Sequence, residues 1–136
     1  MSGPIVYVDH SVIAEGRLDE LSGRLTGLIE LIESNEPRLL AYSVYLNRNR
    51  TEITVVHVHR DVASMVTHFQ VAGPAFRAFV DLVRLQSVDV YGDVPDEVVE
   101  QLQAKARLLG NAIVSVHPFH AGFVRLESGS GIHRRS

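Results

Sequence analysis

Runs rich in β-branched and aromatic residues alternate with helical segments in one particular order along the first part of the chain. Four such runs are predicted strands, because these residues pack well on a pleated sheet: residues 4–13, 39–46, 51–59 and 84–91. Two segments with apolar residues at spacings of three and four are predicted helices, one over residues 17–34 and one after Asp61. The order β-α-β-β-α-β is that of a split βαβ unit. The sequence therefore predicts an α+β, ferredoxin-like βαββαβ fold with an antiparallel sheet.

Local signals place the ends of these elements. Asp61 is a suitable N-cap for the second helix, and Gly73-Pro74 interrupts that helix before a short helical turn. The polar run 47–50 predicts a hairpin turn in which the asparagines accept positive φ. Pro95 and Gly110 are typical of the start and end of a third helix. Residues 112–126 are predicted to add a C-terminal strand region.

The length of 136 residues fits one domain, which we place at residues 1–127, followed by a disordered Gly/Ser-rich tail at 128–136. Several strands carry apolar residues on both faces, such as Val55 and Val56, and a sheet of that kind must be covered on both sides. The helices cover one face. We expect a second copy of the chain to cover the other, which predicts a homodimer through the sheet faces.

Charge and composition exclude several functions. The net charge of −3 disfavours nucleic acid and anionic membrane surfaces as partners, since both attract basic proteins. The chain has no cysteine, which rules out disulfides, thiolate metal sites and cysteine nucleophiles. No apolar run approaches the ~20 residues of a membrane span, and the N-terminus lacks a signal-peptide pattern. A cytoplasmic location and a small-molecule ligand are the expectations that remain.

Histidines are the main candidates for chemistry, with seven in the chain. His57 and His59 are two residues apart on a strand, so they project from one face, roughly 6.5–7 Å apart. His68 follows a turn or two into the next helix. If the odd positions of this strand face the helices, the three rings converge on one cavity. His117 and His120, three positions apart, are predicted to face different ways and to cap a sheet edge or line a dimer contact.

Tyr7 and Asp9 share one face of the first strand, which is the neighbour of the third strand in this fold. We therefore predict a site in which His59, His68 and Asp9 are catalytic. The predicted substrate-binding residues are those that lie beside them in the strands or at helical spacing: His57, Tyr7, Ser64, Met65 and Phe69.

Residues 5–92 carry a pattern that extends beyond these local signals. A Glu15-Gly16 turn follows the first strand, and His68 lies nine residues after His59. This segment resembles the antibiotic-biosynthesis-monooxygenase-like (ABM) families, which are dimeric α+β barrels. In that pattern glutamate is usual at position 57 and tryptophan at position 59, whereas this chain has histidine at both and no tryptophan. The resemblance implies the fold and a homodimer, while its members include monooxygenases, haem-degrading enzymes, isomerases and decarboxylases.

Several interpretations of the histidine cluster stay open. The rings are core histidines, or they serve a cofactor-independent monooxygenase in which a histidine or Asp9 removes a proton from an aromatic or polyketide-like substrate. The resulting carbanion would reduce dioxygen directly, so that no cofactor is needed. Alternatively, the imidazoles hold haem or a divalent metal, or the site belongs to a lyase or isomerase. A non-catalytic ligand-binding or assembly domain is the alternative from a different class.

Overall fold

The computed structural model describes residues 3–125 of the chain. The strands are β1 Ile5–Ile13, β2 Leu39–Leu46, β3 Glu52–His59, β4 Val83–Tyr91 and β5 Ile113–His117. The α-helices are α1 Leu18–Asn35, α2 Val62–Ala72 and α3 Asp96–Leu109, and a 3-10 helix, Gly73–Phe79, continues α2. The predicted ferredoxin-like βαββαβ order with an added helix and strand is confirmed. The predicted tail, residues 128–136, lies outside the described residues.

The strands form one sheet in the order β2-β3-β1-β4-β5, which places β1 at its centre. The first four strands pair antiparallel, and β5 pairs parallel with β4. The sheet of a single chain is open at both edges and does not close into a barrel. The strand prediction for residues 112–126 was too long, because β5 ends at His117. Pro118 follows it and has no N–H to donate to a strand ladder.

The helices pack together on one face of the sheet, and the core lies between them and that face. Burial alternates strictly along β1 and β3, with every odd-numbered residue from Ile5 to Ile13 and from Ile53 to His59 buried. The prediction that the odd positions of β3 face the helices is thus confirmed. The buried helix residues of the same core cluster include Leu21, Leu28 and Ile32 of α1 and Val98 and Leu102 of α3.

Side-chain hydrogen bonds fix the two junctions on either side of β3. Asp61 caps α2 as predicted, and its carboxylate accepts the Ser64 N–H at 2.9 Å. In the hairpin turn the residue with positive φ is Arg50 and not an asparagine, contrary to the prediction. Asn47 acts through its side-chain oxygen, which accepts the N–H groups of Thr51 at 2.8 Å and Glu52 at 3.0 Å. This bonding sets the register of β2 and β3.

The second face of the sheet carries a patch of valines at its centre. Val6 lies opposite Val58 and Val8 opposite Val56, and all four are half-buried in the single chain. His117 lies at the sheet edge, where it bonds Asp89 at 2.9 Å and stacks on Tyr91, while His120 is exposed beyond the strand. No helix within residues 3–125 is long and apolar enough to cross a membrane.

Gly110 ends α3 in a place that only glycine fits. Its φ is +153°, and a Cβ there would lie 2.8 Å from both the backbone N and O of Leu85. We predict that Gly110→Ala lowers the free energy of unfolding by about 2–4 kcal/mol, because β4 must shift and the backbone is strained. Gly27→Ala, in the open interior of α1, should raise it by about 1 kcal/mol. Urea unfolding measures both, and equal effects of the two substitutions would contradict this account.

Candidate functional site

Polar and aromatic side chains replace aliphatic ones on the inner face of the two central strands. Tyr7 and Asp9 of β1 and His57 and His59 of β3 are all at most 6% exposed. Strand pairing sets Tyr7 directly opposite His57, and their rings stack with centroids 3.6 Å apart. The alternation of β1 and β3 therefore builds a buried polar layer where a hydrophobic core would otherwise continue.

Helix α2 completes the histidine cluster. His68 Nε2 lies 3.2 Å from the Tyr7 hydroxyl, and its Nδ1 lies 3.0 and 3.1 Å from the two carboxylate oxygens of Glu36. The ring centroid of His68 is 5.2 Å from that of His57 and 5.3 Å from that of His59. The structure thus brings together the three histidines that the sequence analysis singled out.

The remaining ring nitrogens of the cluster bond locally. His57 Nδ1 donates to the Tyr7 carbonyl oxygen at 3.0 Å, and His59 Nδ1 lies 2.7 Å from the Ser64 hydroxyl. His59 Nε2 is buried without a hydrogen-bond partner among the described residues. Met65 is fully buried in the core, and Phe69 packs in the same layer with its ring 6.4 Å from that of Tyr7. No group of three or more acidic or histidine side chains within residues 3–125 is arranged to hold a metal ion.

Lys105 of α3 is the chain's single lysine, and it is buried. Its Nζ donates to Asp9 Oδ2 at 2.7 Å and to the Tyr7 hydroxyl at 3.2 Å, and it lies 4.7 Å from the centroid of the Phe76 ring. The sequence analysis missed this residue. A signal was present, because Lys105 lies three residues after Leu102 and four before Leu109, on the apolar stripe of α3.

Glu36 was missed as well, and here the sequence gave little signal. It directly follows α1 and precedes Pro37, a position typical of a solvated helix end. In the structure its side chain turns inward to His68 and is only 1% exposed.

Asp9 and Lys105 also form the polar wall of a cavity between the sheet and the helices. The cavity measures about 60 Å³, and Ser11 and Tyr42 complete its polar side. Its other walls are apolar, from Leu21, Leu25, Leu28, Phe76, Phe79 and neighbouring side chains. Of the predicted site residues only Asp9 lines this cavity; the histidines, Tyr7, Ser64, Met65 and Phe69 are packed behind it.

Burial sets the protonation of the aromatic and imidazole groups. Loss of hydration lowers the pKa of His57 well below its usual value and that of His59 to about 3, with further lowering from the charges of Lys105 and His68. Burial, with Asp9 and Glu36 nearby, raises the pKa of Tyr7 well above its usual value, and burial also raises that of Tyr42. At neutral pH both histidines of β3 are therefore neutral, and both tyrosines keep their hydroxyl protons.

The lowered pKa of His59 predicts how the free energy of unfolding depends on pH. The unfolded chain binds a proton at this residue below its ordinary pKa of 6.5, whereas the folded chain stays neutral down to about 3. The free energy of unfolding should therefore fall as pH decreases from 6.5 toward 3. In His59→Gln the slope between pH 4 and 6 should be shallower by up to about 1.4 kcal/mol per pH unit. Urea unfolding at several pH values measures it. Gly27→Ala should shift the curve without changing its slope, and parallel curves for wild type and His59→Gln would contradict the prediction.

Comparison with known proteins supports the fold. The sequence matches no protein-family model and no curated protein. Among solved structures, MupZ from Pseudomonas fluorescens superposes with a TM-score of 0.71 at 19% identity, over 92% of this chain and 91% of that one. Because this superposition covers 92% of the chain, it includes at least part of α3, the helix that carries Lys105.

Two further structures cover about two-thirds of the chain. SnoaB from Streptomyces nogalater, described as a cofactor-independent oxygenase, superposes with a TM-score of 0.57 at 12% identity, over 65% of this chain and 91% of that one. A protein from Deinococcus radiodurans with the provisional name antibiotic biosynthesis monooxygenase gives a TM-score of 0.54 at 14% identity, over 64% and 89%. The chain therefore shares the ferredoxin-like α+β fold of these structures.

Proposed function

We propose that the chain is an enzyme that removes a proton from a small, mostly apolar molecule and oxygenates it without a cofactor. The observation that carries this proposal is the Asp9–Lys105 pair, joined at 2.7 Å and less than 10% exposed on each side chain, at the wall of an apolar cavity. Burying two charges costs several kcal/mol of hydration each, which a purely structural core avoids by using apolar residues. Such a pair in a cavity is typical of a functional site.

Asp9 is the base in this proposal, and the histidines are not. Asp9 lines the cavity, and one of its two oxygens remains to accept a proton while Oδ2 bonds Lys105. His59 does not line the cavity, so it does not reach a substrate bound there. The predicted catalytic roles of His59 and His68 thus become supporting roles behind Asp9.

Lys105 and Tyr42 stabilise the anion that proton removal creates. An ammonium group has three N–H donors, and two of those of Lys105 are used by Asp9 and Tyr7. The third is available for a substrate oxygen on which negative charge develops. Tyr42 adds a hydroxyl on the same wall, and its raised pKa keeps that donor protonated.

The proposed reaction balances with dioxygen as the only co-reactant. A CH₂ group activated by neighbouring aromatic rings or carbonyls loses one proton to Asp9, and the carbanion reduces O₂ to a peroxide anion on the same carbon. Asp9 then returns its proton to the peroxide. Loss of water from the peroxide gives a ketone, so that R₂CH₂ and O₂ become R₂C=O and H₂O. The description of SnoaB, which shares the fold, as a cofactor-independent oxygenase supports this choice.

A lyase or isomerase is the second candidate, because the same wall carries both a base and proton donors. Proton removal by Asp9 and its return to another atom need no oxidant. The cavity of about 60 Å³ is smaller than the roughly 300–1,000 Å³ of usual ligand pockets, so a substrate must displace lining side chains in either case.

Oxygen uptake with a panel of anthrones and hydroquinones tests the catalytic proposal. We expect Asp9→Asn to lower kcat by about 100-fold or more, because the base is lost. Lys105→Met should also lower it, whereas His59→Gln should change kcat less than tenfold. Circular dichroism checks that each variant folds.

The alternatives give different results in the same assays. Deuterium incorporation from D₂O into a panel compound without oxygen uptake would favour the lyase or isomerase. A His59→Gln effect larger than that of Asp9→Asn would contradict the role of Asp9. Absence of both oxygen uptake and deuterium exchange over the panel would overturn the enzymatic proposal in favour of a binding domain.

We also propose that the enzyme is a homodimer that buries the valine patch formed by Val6, Val8, Val56 and Val58. These residues lie on the sheet face that no described helix covers. A sheet with apolar residues on both faces is stable in water when both are covered.

Sedimentation velocity should give a dimer for the wild type and a monomer for Val8→Glu, because a carboxylate on the patch would be buried without a partner. Val80→Glu, which makes the same change at a position that is 39% exposed, should remain dimeric. A monomeric wild type at micromolar concentration would contradict the homodimer.

A further inference from the structure

A second, larger pocket lies at the end of the sheet where β1 begins and β3 and β4 end. We call it the end pocket, and it measures about 410 Å³. Its walls include Leu40 of β2 as well as Phe119 and Phe123 of the segment that follows β5. Because β2 and β5 are the two edge strands, a pocket lined by both extends across the ends of the strands between them.

The end pocket is separate from the cavity that Asp9 and Lys105 line, because the two share no lining residue. Its volume lies within the roughly 300–1,000 Å³ of usual ligand pockets, whereas the other cavity measures about 60 Å³. The end pocket therefore has room for a small molecule of its own.

The segment after β5 contributes an aromatic wall. Phe119 is 58% exposed and Phe123 is 76% exposed, and both line the pocket. Gly122 lies between them in the sequence with a φ of +130°, a backbone conformation that glycine adopts without strain. Large apolar side chains gathered at the rim of a pocket are typical of a binding site, since a ligand would remove them from water.

Arg60 gives the pocket its positive charge. It directly follows β3 and is half-buried. The nearby Arg38 pairs with Asp61, whereas the Arg60 guanidinium has no hydrogen bond or ion pair with any residue between positions 3 and 125. A guanidinium presents paired N–H donors that match the two oxygens of a carboxylate. The wall of the end pocket thus carries an unused anion-binding group.

Asp93 is the other charged residue of the wall, and it is exposed. Arg60 and Asp93 follow β3 and β4, which pair with opposite sides of β1. Two strand spacings place their backbones roughly 10 Å apart, so the positive and negative groups lie on different sides of the pocket. One guanidinium facing a mostly apolar wall suits an anion with a single charge.

We propose that the end pocket is a second binding site, which takes a small carboxylate with an aromatic or aliphatic body. Arg60 binds the carboxylate, while Phe119, Phe123 and Leu40 contact the apolar body. The site uses none of the residues of the proposed oxygenation, so it stands or fails independently of that reaction.

Three matched probes test the chemical class of the ligand by isothermal titration calorimetry: 3-phenylpropionate, its neutral amide and 2-phenylethylamine. We expect the carboxylate to bind about tenfold or more tightly than the amide, because only the carboxylate forms charge-assisted hydrogen bonds with Arg60. Equal affinity for the carboxylate and the amide, tighter binding of the amine, or no binding of any probe would overturn the proposal.

Arg60→Gln and Arg48→Gln form the matched pair of variants. The first should reduce the affinity for 3-phenylpropionate to about that of the amide. The second makes the same change at an exposed position of the β2–β3 turn and should bind like the wild type. Phe123→Ser, at a position too exposed to affect folding, should weaken both probes. Wild-type affinity in Arg60→Gln would overturn the role of Arg60.

NMR then locates the bound probe. In ¹H–¹⁵N spectra, 3-phenylpropionate should shift the amide signals of Gly92, Asp93 and Gly122. Shifts confined to Ser11 and Tyr42 would place the probe in the other cavity and overturn the end pocket as its site. Binding to Val8→Glu but not to the wild type would show that a second copy of the chain covers the pocket, which would also overturn the proposal.

Discussion

The ion pair between Asp9 and Lys105 is the interaction on which the arrangement of the site depends. It joins the central strand to α3, across 96 residues of sequence, inside a region from which water is largely excluded. Removing either partner would leave a buried charge without compensation, which typically costs 3–5 kcal/mol. The position of α3 on the sheet therefore determines whether the buried carboxylate of β1 has its partner. The βαββαβ unit supplies only Asp9, whereas Lys105 belongs to the added helix α3.

A polar layer of this kind is stable in a core only because its members satisfy one another. The Tyr7 hydroxyl takes part in two hydrogen bonds, and its ring stacks on that of His57 and lies 6.4 Å from that of Phe69. The lowered pKa of His57 is part of the same arrangement, since an imidazolium in that stack would lie unsolvated beside Lys105. His59 Nε2 is the exception among the described residues, as a buried polar atom without a partner. The residues that pack against one another in this layer are therefore also the residues that satisfy one another's hydrogen bonds.

Periodicity in the sequence predicted the faces of the strands but not the contacts between distant elements. Alternation along β3 is enough to place His57 and His59 inward, and the nine-residue spacing to His68 carries the third ring to the same layer. Nothing in the local pattern shows that Lys105 meets Tyr7, which is 98 residues away, because that contact depends on where α3 crosses the sheet. The parallel pairing of β5 depends on the same crossover. Glu36 was unpredictable for a related reason, since a carboxylate at a helix end is usually solvated.

The departures from the ABM pattern acquire a physical meaning in this arrangement. Where tryptophan is usual in the pattern, His59 supplies a flat ring that is neutral at neutral pH, because burial lowers its pKa to about 3. Where glutamate is usual, His57 bonds a backbone carbonyl and stacks on Tyr7. The groups with charge and access to the cavity are instead on β1 and α3. The β3–α2 positions therefore pack behind the cavity, and the wall with the charged pair lies at the junction of the central strand with the added helix.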